Sequence, residues 1–398
     1  LLVNNQEDMV TELYDELQQS LEKQGAAATI DRLCNVLRQQ KDFTNLFYAL
    51  LMKKRHELGV LPIPTAPAQS LPERYHADYE AAIREAGQLV GKLYLDQGNI
   101  PGAWAFYRML GDQEPVRQAL EKVVLVEGED CQPLVDIAYQ QGIHPKKGFD
   151  LVLERFGICS AITMVGGGEF PHGPEVRDHC IRRLVRALYK ELFERLWAEI
   201  ERVQSFRPTA KTVRELLAGR DWLFADDLYH IDISHLGAVV QMSIHLSACE
   251  ELQLARELCE YGRHLSPRFQ YNSDPPFENQ YQDYGVYLAI LSGDGVEEGL
   301  AHFRGKIENS KPEEVGTYPA EVFVNLLVKL GRNEEALSIA RRYLATTDPR
   351  RMTCPGIVEL CEKTGDYQVL ADVAREQENP VHFVAGLLAS RGHSPVKA

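Results

Sequence analysis

A chain of 398 residues with 44% hydrophobic and 25% charged residues is a folded protein rather than a disordered one. It exceeds what one compact core needs, so about two or three domains or one elongated array is expected. The formal charge of −15 repels nucleic acid and anionic lipid alike, which excludes a broad duplex-binding or membrane-surface function.

Helical periodicity begins at once. Met9, Leu13, Leu17 and Leu21 recur every four residues, Gly25 interrupts, and Ile30, Leu33 and Leu37 resume the stripe. A second apolar stretch runs from Phe43 to Met52, completing an N-terminal helical region over 1–60. Pro62, Pro64, Pro67 and Pro72 then forbid a continuous helix, so 61–73 reads as an extended linker. Helical repeats are expected over 74–165, a central region over 166–265 and further repeats over 266–398. Strand signals are nearly absent; the best, Lys122 to Val126, has no hairpin partner, so a sheet is not expected.

The repeats share a turn grammar. In "YLDQGNIPGAWAFY" one helix closes at Gly98, and Ala103 follows five residues later. "LVKLGRNEEALSIARRYL" repeats this with Gly331 and Ala336, "LCEKTGDYQVLADVA" follows Gly365, and a weaker copy follows Gly293. Glycine accepts the left-handed conformation that ends a helix, and a small residue after it lets two helices approach closely. Gly331 and Gly365 stand 34 residues apart, the tetratricopeptide period. These stretches resemble tetratricopeptide units, although the family's large aromatic in the first helix is mostly missing. The resemblance implies an all-α superhelix, or solenoid, of stacked helical hairpins, each covering the apolar face of the one before.

Between the repeats, "PEVRDHCIRRLVRALYKELFERLWAEIERVQS" offers about 30 residues without internal glycine or proline. Pro174 opens it and acidic residues occupy the first turn, so it is expected to form one long central helix. Val176, Ile181, Leu184, Val185, Leu188, Leu192, Leu196 and Ile200 form its apolar stripe; arginines and lysines decorate the rest.

Two polar clusters flank this helix in sequence. In "DDLYHIDISHLGAVVQMSIHL", His230, Asp232 and His235 stand within six residues, beside Tyr229 and Ser234. Imidazole and carboxylate suit zinc, iron, manganese or copper, and three such ligands leave an open position for chemistry. The spacing is not HExxH, and the plainer alternative makes Asp232 or Ser234 a helix N-cap. In "MVGGGEFPHGPEVRDH", three glycines precede Glu169, His172 and the long helix that carries His179. Such a loop suits an anion or a lid, but no GxxxxGK[ST] is present. His172 and His179 would lie about 10 Å apart on a straight helix, so one at most joins a common ion.

Elsewhere His144, Lys146 and Lys147 make a basic turn, and five aromatics between Pro267 and Gly285 suggest a groove-lining loop or a packed insertion. The eight cysteines are scattered without a CxxC, which reads as reduced core thiols. No apolar run approaches the roughly 20 residues that cross a bilayer, and no signal-peptide pattern opens the chain, so a cytoplasmic protein is expected.

Two functions follow as expectations. The first is a binding scaffold that holds a peptide or protein partner in the concave face of a helical array, with no nucleic acid and no membrane. The second is a metal-dependent enzyme on a small-molecule substrate. His230, Asp232 and His235 would bind the divalent ion, His172 or His179 would complete the site, and Tyr229 or Glu169 would move protons. That reading requires His230, Asp232 and His235 to face one cavity near the His172 end of the long helix.

Overall fold

A computed structural model describes residues 2–66, 69, 71–168, 170–205, 207–270, 273–310 and 312–392. The described residues contain helices, turns and loops and no strand. They form two compact units, 1–155 and 156–398.

The first unit carries α1 (Leu2–Gln24), α2 (Ala26–Gln39), α3 (Phe43–Glu57), α4 (His76–Asp96), α5 (Ile100–Leu110), α6 (Glu114–Glu121) and α7 (Gln132–Val135). α7 runs into a π-type turn over Asp136–Gln140. Through α5, each helix packs on its neighbour in sequence. Local chemistry sets the breaks. Gly25 takes φ 84° between α1 and α2, the Asp42 carboxylate accepts the Asn45 amide to start α3, and Asn99 accepts the Gly102 amide to start α5. The proline segment is bound rather than loose. The buried Arg55 guanidinium donates to the carbonyls of Leu61 and Ala66, and Leu71 joins a core containing Ile30, Leu46 and Val90. One core therefore spans both sides of it. Residues 122–126, the candidate strand, form a turn and an open loop, with Val124 84% exposed.

The helix α8 (Pro145–Gly166) is broken at Gly157, whose φ of 79° and ψ of 179° are not helical. In the second unit follow α9 (Pro174–Gln204), α10 (Val213–Leu217), α11 (Ile233–Met242), α12 (Glu251–His264), α13 (Gln280–Leu291), α14 (Val296–Asn309) and α15 (Pro312–Val315). The last five are α16 (Tyr318–Lys329), α17 (Asn333–Tyr343), α18 (Ile357–Thr364), α19 (Tyr367–Glu376) and α20 (Pro380–Gly392). α9 is the long helix expected from Pro174; Val176 in its first turn is half-buried, and the other seven stripe residues, Ile181 to Ile200, are fully buried. Each contributes about 1.5–3 kcal/mol of gross burial, which holds α10, α11 and α12 against it. Its outer face carries ion pairs one turn apart, such as Arg195 with Glu191 at 2.7 Å and Arg202 with Glu199 at 2.6 Å.

From α16 to α20 successive helices again pack as neighbours, apart from the loop before α18. Gly331 and Gly365 close their turns with φ of 74° and 77°, as the spacing predicts. The Asp366 carboxylate then accepts the Val369 amide to start α19. Of the five aromatics, Phe277, Tyr281 and Tyr284 are buried, with Phe277 stacked on Tyr284 at 4.0 Å; Phe269 is half-buried, and Tyr271 lies outside the described residues. In the same segment, the fully buried Asp283 accepts the Asn279 amide, His302 Nε2 at 2.8 Å and Lys306 Nζ at 2.9 Å, tying α14 to α13.

Candidate functional site

Asp232 is the N-cap of α11. Its Oδ1 accepts the Ser234 hydroxyl at 2.5 Å, the Ser234 amide at 2.8 Å and the His235 amide at 3.3 Å. These bonds, the Ser234 side chain first, hold the carboxyl below its ordinary range. His230 is used elsewhere. Its amide donates to the Tyr261 hydroxyl at 2.7 Å, and its ring Nδ1 lies 3.3 Å from that same oxygen. Burial beside Phe224 and Tyr261 lowers the imidazole pKa, and burial pushes the Tyr261 phenol up to about 12. Tyr229 is exposed and packs edge-on to Phe269.

The expected metal centre is therefore not assembled. Among the described residues, no group of three or more His, Cys, Asp or Glu is arranged to hold a metal ion. The direction of α11 keeps His172 away from this cluster. His230 lies within electrostatic reach of Glu199, near the end of α9, while Ala238 and Met242 share a cavity with Arg177 and Ile181, near its beginning. α11 therefore runs antiparallel to α9. About 22 residues of helix separate the two ends, roughly 33 Å. His172 packs on Phe170, whose ring lies under the Arg177 guanidinium, so it belongs with the start of α9, away from His230. His179 is half-buried in the second turn of α9. Glu169 lies outside the described residues.

The glycine loop itself borders the most informative recess of the second unit. A cavity of about 500 Å³ opens between Thr163–Gly168, the first two turns of α9, the C-terminal half of α11, His245 and Tyr318. The glycines have packing reasons to be there. A Cβ on Gly166 would lie 3.0 Å from Met242 Cε, and Gly168 takes φ 138°. Ile162, Val165, Ile181, Ala238, Met242 and Ile244 supply apolar wall, and Arg177, Gln241, His245 and Tyr318 supply polar groups. Behind the wall, Lys329 Nζ donates to the carbonyls of Ile244 and Leu246 at 2.8 and 2.9 Å, gripping the turn that carries His245.

Charge in this recess has one dominant sign. His245 and Lys329 keep solvent-exposed surface yet are surrounded by protein on most sides, the condition of groups in a concave site. That enclosure pulls the His245 pKa down to about 4, with Arg177 and Lys329 pushing the same way. It also lowers Lys329 to about 8, against a smaller pull from Asp178. At neutral pH His245 is thus a neutral imidazole beside two cations. Arg177 Nε is a buried donor with no hydrogen-bond acceptor among the described residues.

A second recess, about 600 Å³ in the first unit, lies between α4, α5, α6 and the 122–131 loop. It mixes Lys92 and Lys122 with Asp96, Glu129 and Asp130, so it presents no single sign of field. The basic turn at 144–147 is structural: Lys147 Nζ donates to the Val123 carbonyl at 2.7 Å, and His144 Nδ1 accepts the Lys147 amide. Of the cysteines, Cys34, Cys131, Cys180, Cys259 and Cys361 are buried and Cys159 is exposed.

Comparison with protein-family models, with curated proteins and with solved structures gives no match for this chain. No helix among the described residues is long and apolar enough to cross a membrane. Reading the sequence missed His245, Gln241, Tyr318 and Lys329 as neighbours of the glycine loop. The available signal was Arg177, one turn into α9, since a cation at a helix start opposes the helix dipole and needs another reason to be there.

Proposed function

We propose that this chain is a helical-repeat binding scaffold, a solenoid of stacked hairpins that holds a peptide or protein partner along its concave face. One observation carries the reading. Gly98, Gly293, Gly331 and Gly365 each take positive φ at the turn between two consecutive helices. A small buried residue follows five or six positions later: Ala103, Gly299, Ala336 and Ala371. A Cβ on Gly299 would lie 2.5 Å from Ile290, which is the close helix approach this grammar serves. Hairpins built on one pattern expose equivalent faces in series, and a face repeated in series suits an extended partner. Of the expected metal ligands, Asp232 caps α11 and His230 packs on Tyr261.

The test is selection of binders from a random peptide display on the purified full chain, followed by calorimetric titration. The scaffold reading expects enriched peptides with a shared motif that bind one to one. Their affinity should be unchanged in a His230→Ala, His235→Ala double variant. Selection without enrichment over blank resin, or binding lost in that double variant, would overturn it.

A further inference from the structure

We propose that the glycine-loop cavity of the second unit is a site for a small amphipathic anion, a carboxylate or phosphate head on a short apolar tail. Size permits it: about 500 Å³ falls within the range of small-molecule sites, and six apolar side chains are among the lining. Charge selects the head group. Arg177 stands in the lining with its guanidinium held over the Phe170 ring at 5.6 Å, and its buried Nε has no acceptor among the described residues. A buried guanidinium donor left unpaired is costly, and a carboxylate or phosphate oxygen is the acceptor that fits its geometry best.

Among the described residues, the other charged groups around the recess do not supply that acceptor. From α16, Lys329 adds a second positive charge, and its bonds to Ile244 and Leu246 fix it in place. From α9, Asp178 pairs through Oδ2 with Arg182 at 2.7 Å, and its buried Oδ1 makes no hydrogen bond to Arg177 or to any other described residue. Glu321, the acid nearest Tyr318 in sequence, accepts from the Thr317 hydroxyl and from the amide and hydroxyl of Thr353. His245 is neutral between two cations, so an anion entering the recess would favour its protonated form. Gln241 and Tyr318 stand at the same cavity with amide and hydroxyl donors for the remaining head-group oxygens.

Four probes separate the components: octanoate and octyl phosphate carry head and tail, octanol has only the tail, and inorganic phosphate only the head. Calorimetric titration of the full chain should give saturable one-to-one binding of octanoate or octyl phosphate, the tighter of the two naming the head group. Octanol and inorganic phosphate should each bind at least about tenfold more weakly, as should the tighter amphiphile to Arg177→Gln, since a charge-assisted contact is lost in each comparison or the tail burial with it. Ala238→Leu, which fills the cavity without altering charge, should abolish binding while the helical spectrum stays unchanged. Arg202→Gln, at the far end of α9, should bind like the parent. The His245 ring titration, followed by proton NMR, should move upward when the amphiphile is bound. The proposal fails if neither amphiphile saturates, if octanol binds as tightly, if Ala238→Leu binds normally, or if the His245 titration stays where it was. The scaffold reading survives such a failure, because its peptide selection does not use this cavity.

Discussion

Replacing Gly331 isolates the backbone contribution to one repeat turn. Its φ is 74°, and a Cβ built there meets no atom within 4 Å. No steric clash can therefore confuse the result. Holding an L-residue in the left-handed region costs about 1–2 kcal/mol. Stiffening of the unfolded chain on losing glycine costs the unfolded state about 0.4–1 kcal/mol and offsets part of that. A net loss of about 1 kcal/mol is expected for Gly331→Val, and a smaller one for Gly331→Asn, because asparagine tolerates this region. Urea unfolding followed by circular dichroism reads the difference. With a slope of about 2–3 kcal/mol/M, the midpoint for Val should fall by about 0.3–0.5 M at unchanged slope. A Val variant that unfolds with the parent would show that the turn stores no handedness strain. An Asn variant as unstable as Val would show that the cost lies elsewhere than in backbone conformation.

Further outcomes follow from the same contacts. Asp232→Ala should lose about 1 kcal/mol by removing the α11 cap, and Asp232→Asn should lose less, both read by urea unfolding at pH 7. Because folding lowers the Asp232 pKa, its contribution is present above the ordinary carboxylate range and is lost as pH falls through the folded value. The gap between parent and Asp232→Ala should therefore narrow in acid. Asp283→Asn removes the charge that His302 and Lys306 share in a fully buried position and should cost about 3–5 kcal/mol, seen as a lower melting temperature. Gly386→Ala would set a Cβ 2.8 Å from the Ala371 amide nitrogen, which is backbone and cannot rotate away. A loss of about 1–3 kcal/mol and faster hydrogen exchange in α19 and α20 are expected.

The helical class was legible because its signals are local. Pro174, the acidic first turn and the stripe from Ile181 to Ile200 define α9 within a residue or so of its observed ends, and the glycine turns announce their positive φ through composition alone. The N-cap role of Asp232 was one of two readings the residues allowed, and both used the same spacing. What decided between them is not local. The antiparallel course of α11 against α9 separates His230 from His172, and it brings His245 to Arg177 across almost 70 residues of chain. The bound state of the proline segment was hidden for the same reason, since it depends on the Arg55 guanidinium reaching Leu61 and Ala66. Spacing shows which side chains share a helix face, but it carries no information about which helix ends meet.

Metal analysis of the purified full chain, prepared without chelator, most directly tests whether binding rather than metal chemistry is this fold's role. The structure holds Asp232 in its cap and His230 against Tyr261, so the account predicts no stoichiometric zinc, iron, manganese or copper in the parent. The His230→Ala, His235→Ala variant should then match the parent in metal content. One equivalent of a transition metal in the parent that disappears in the double variant, with the helical spectrum intact, would contradict it.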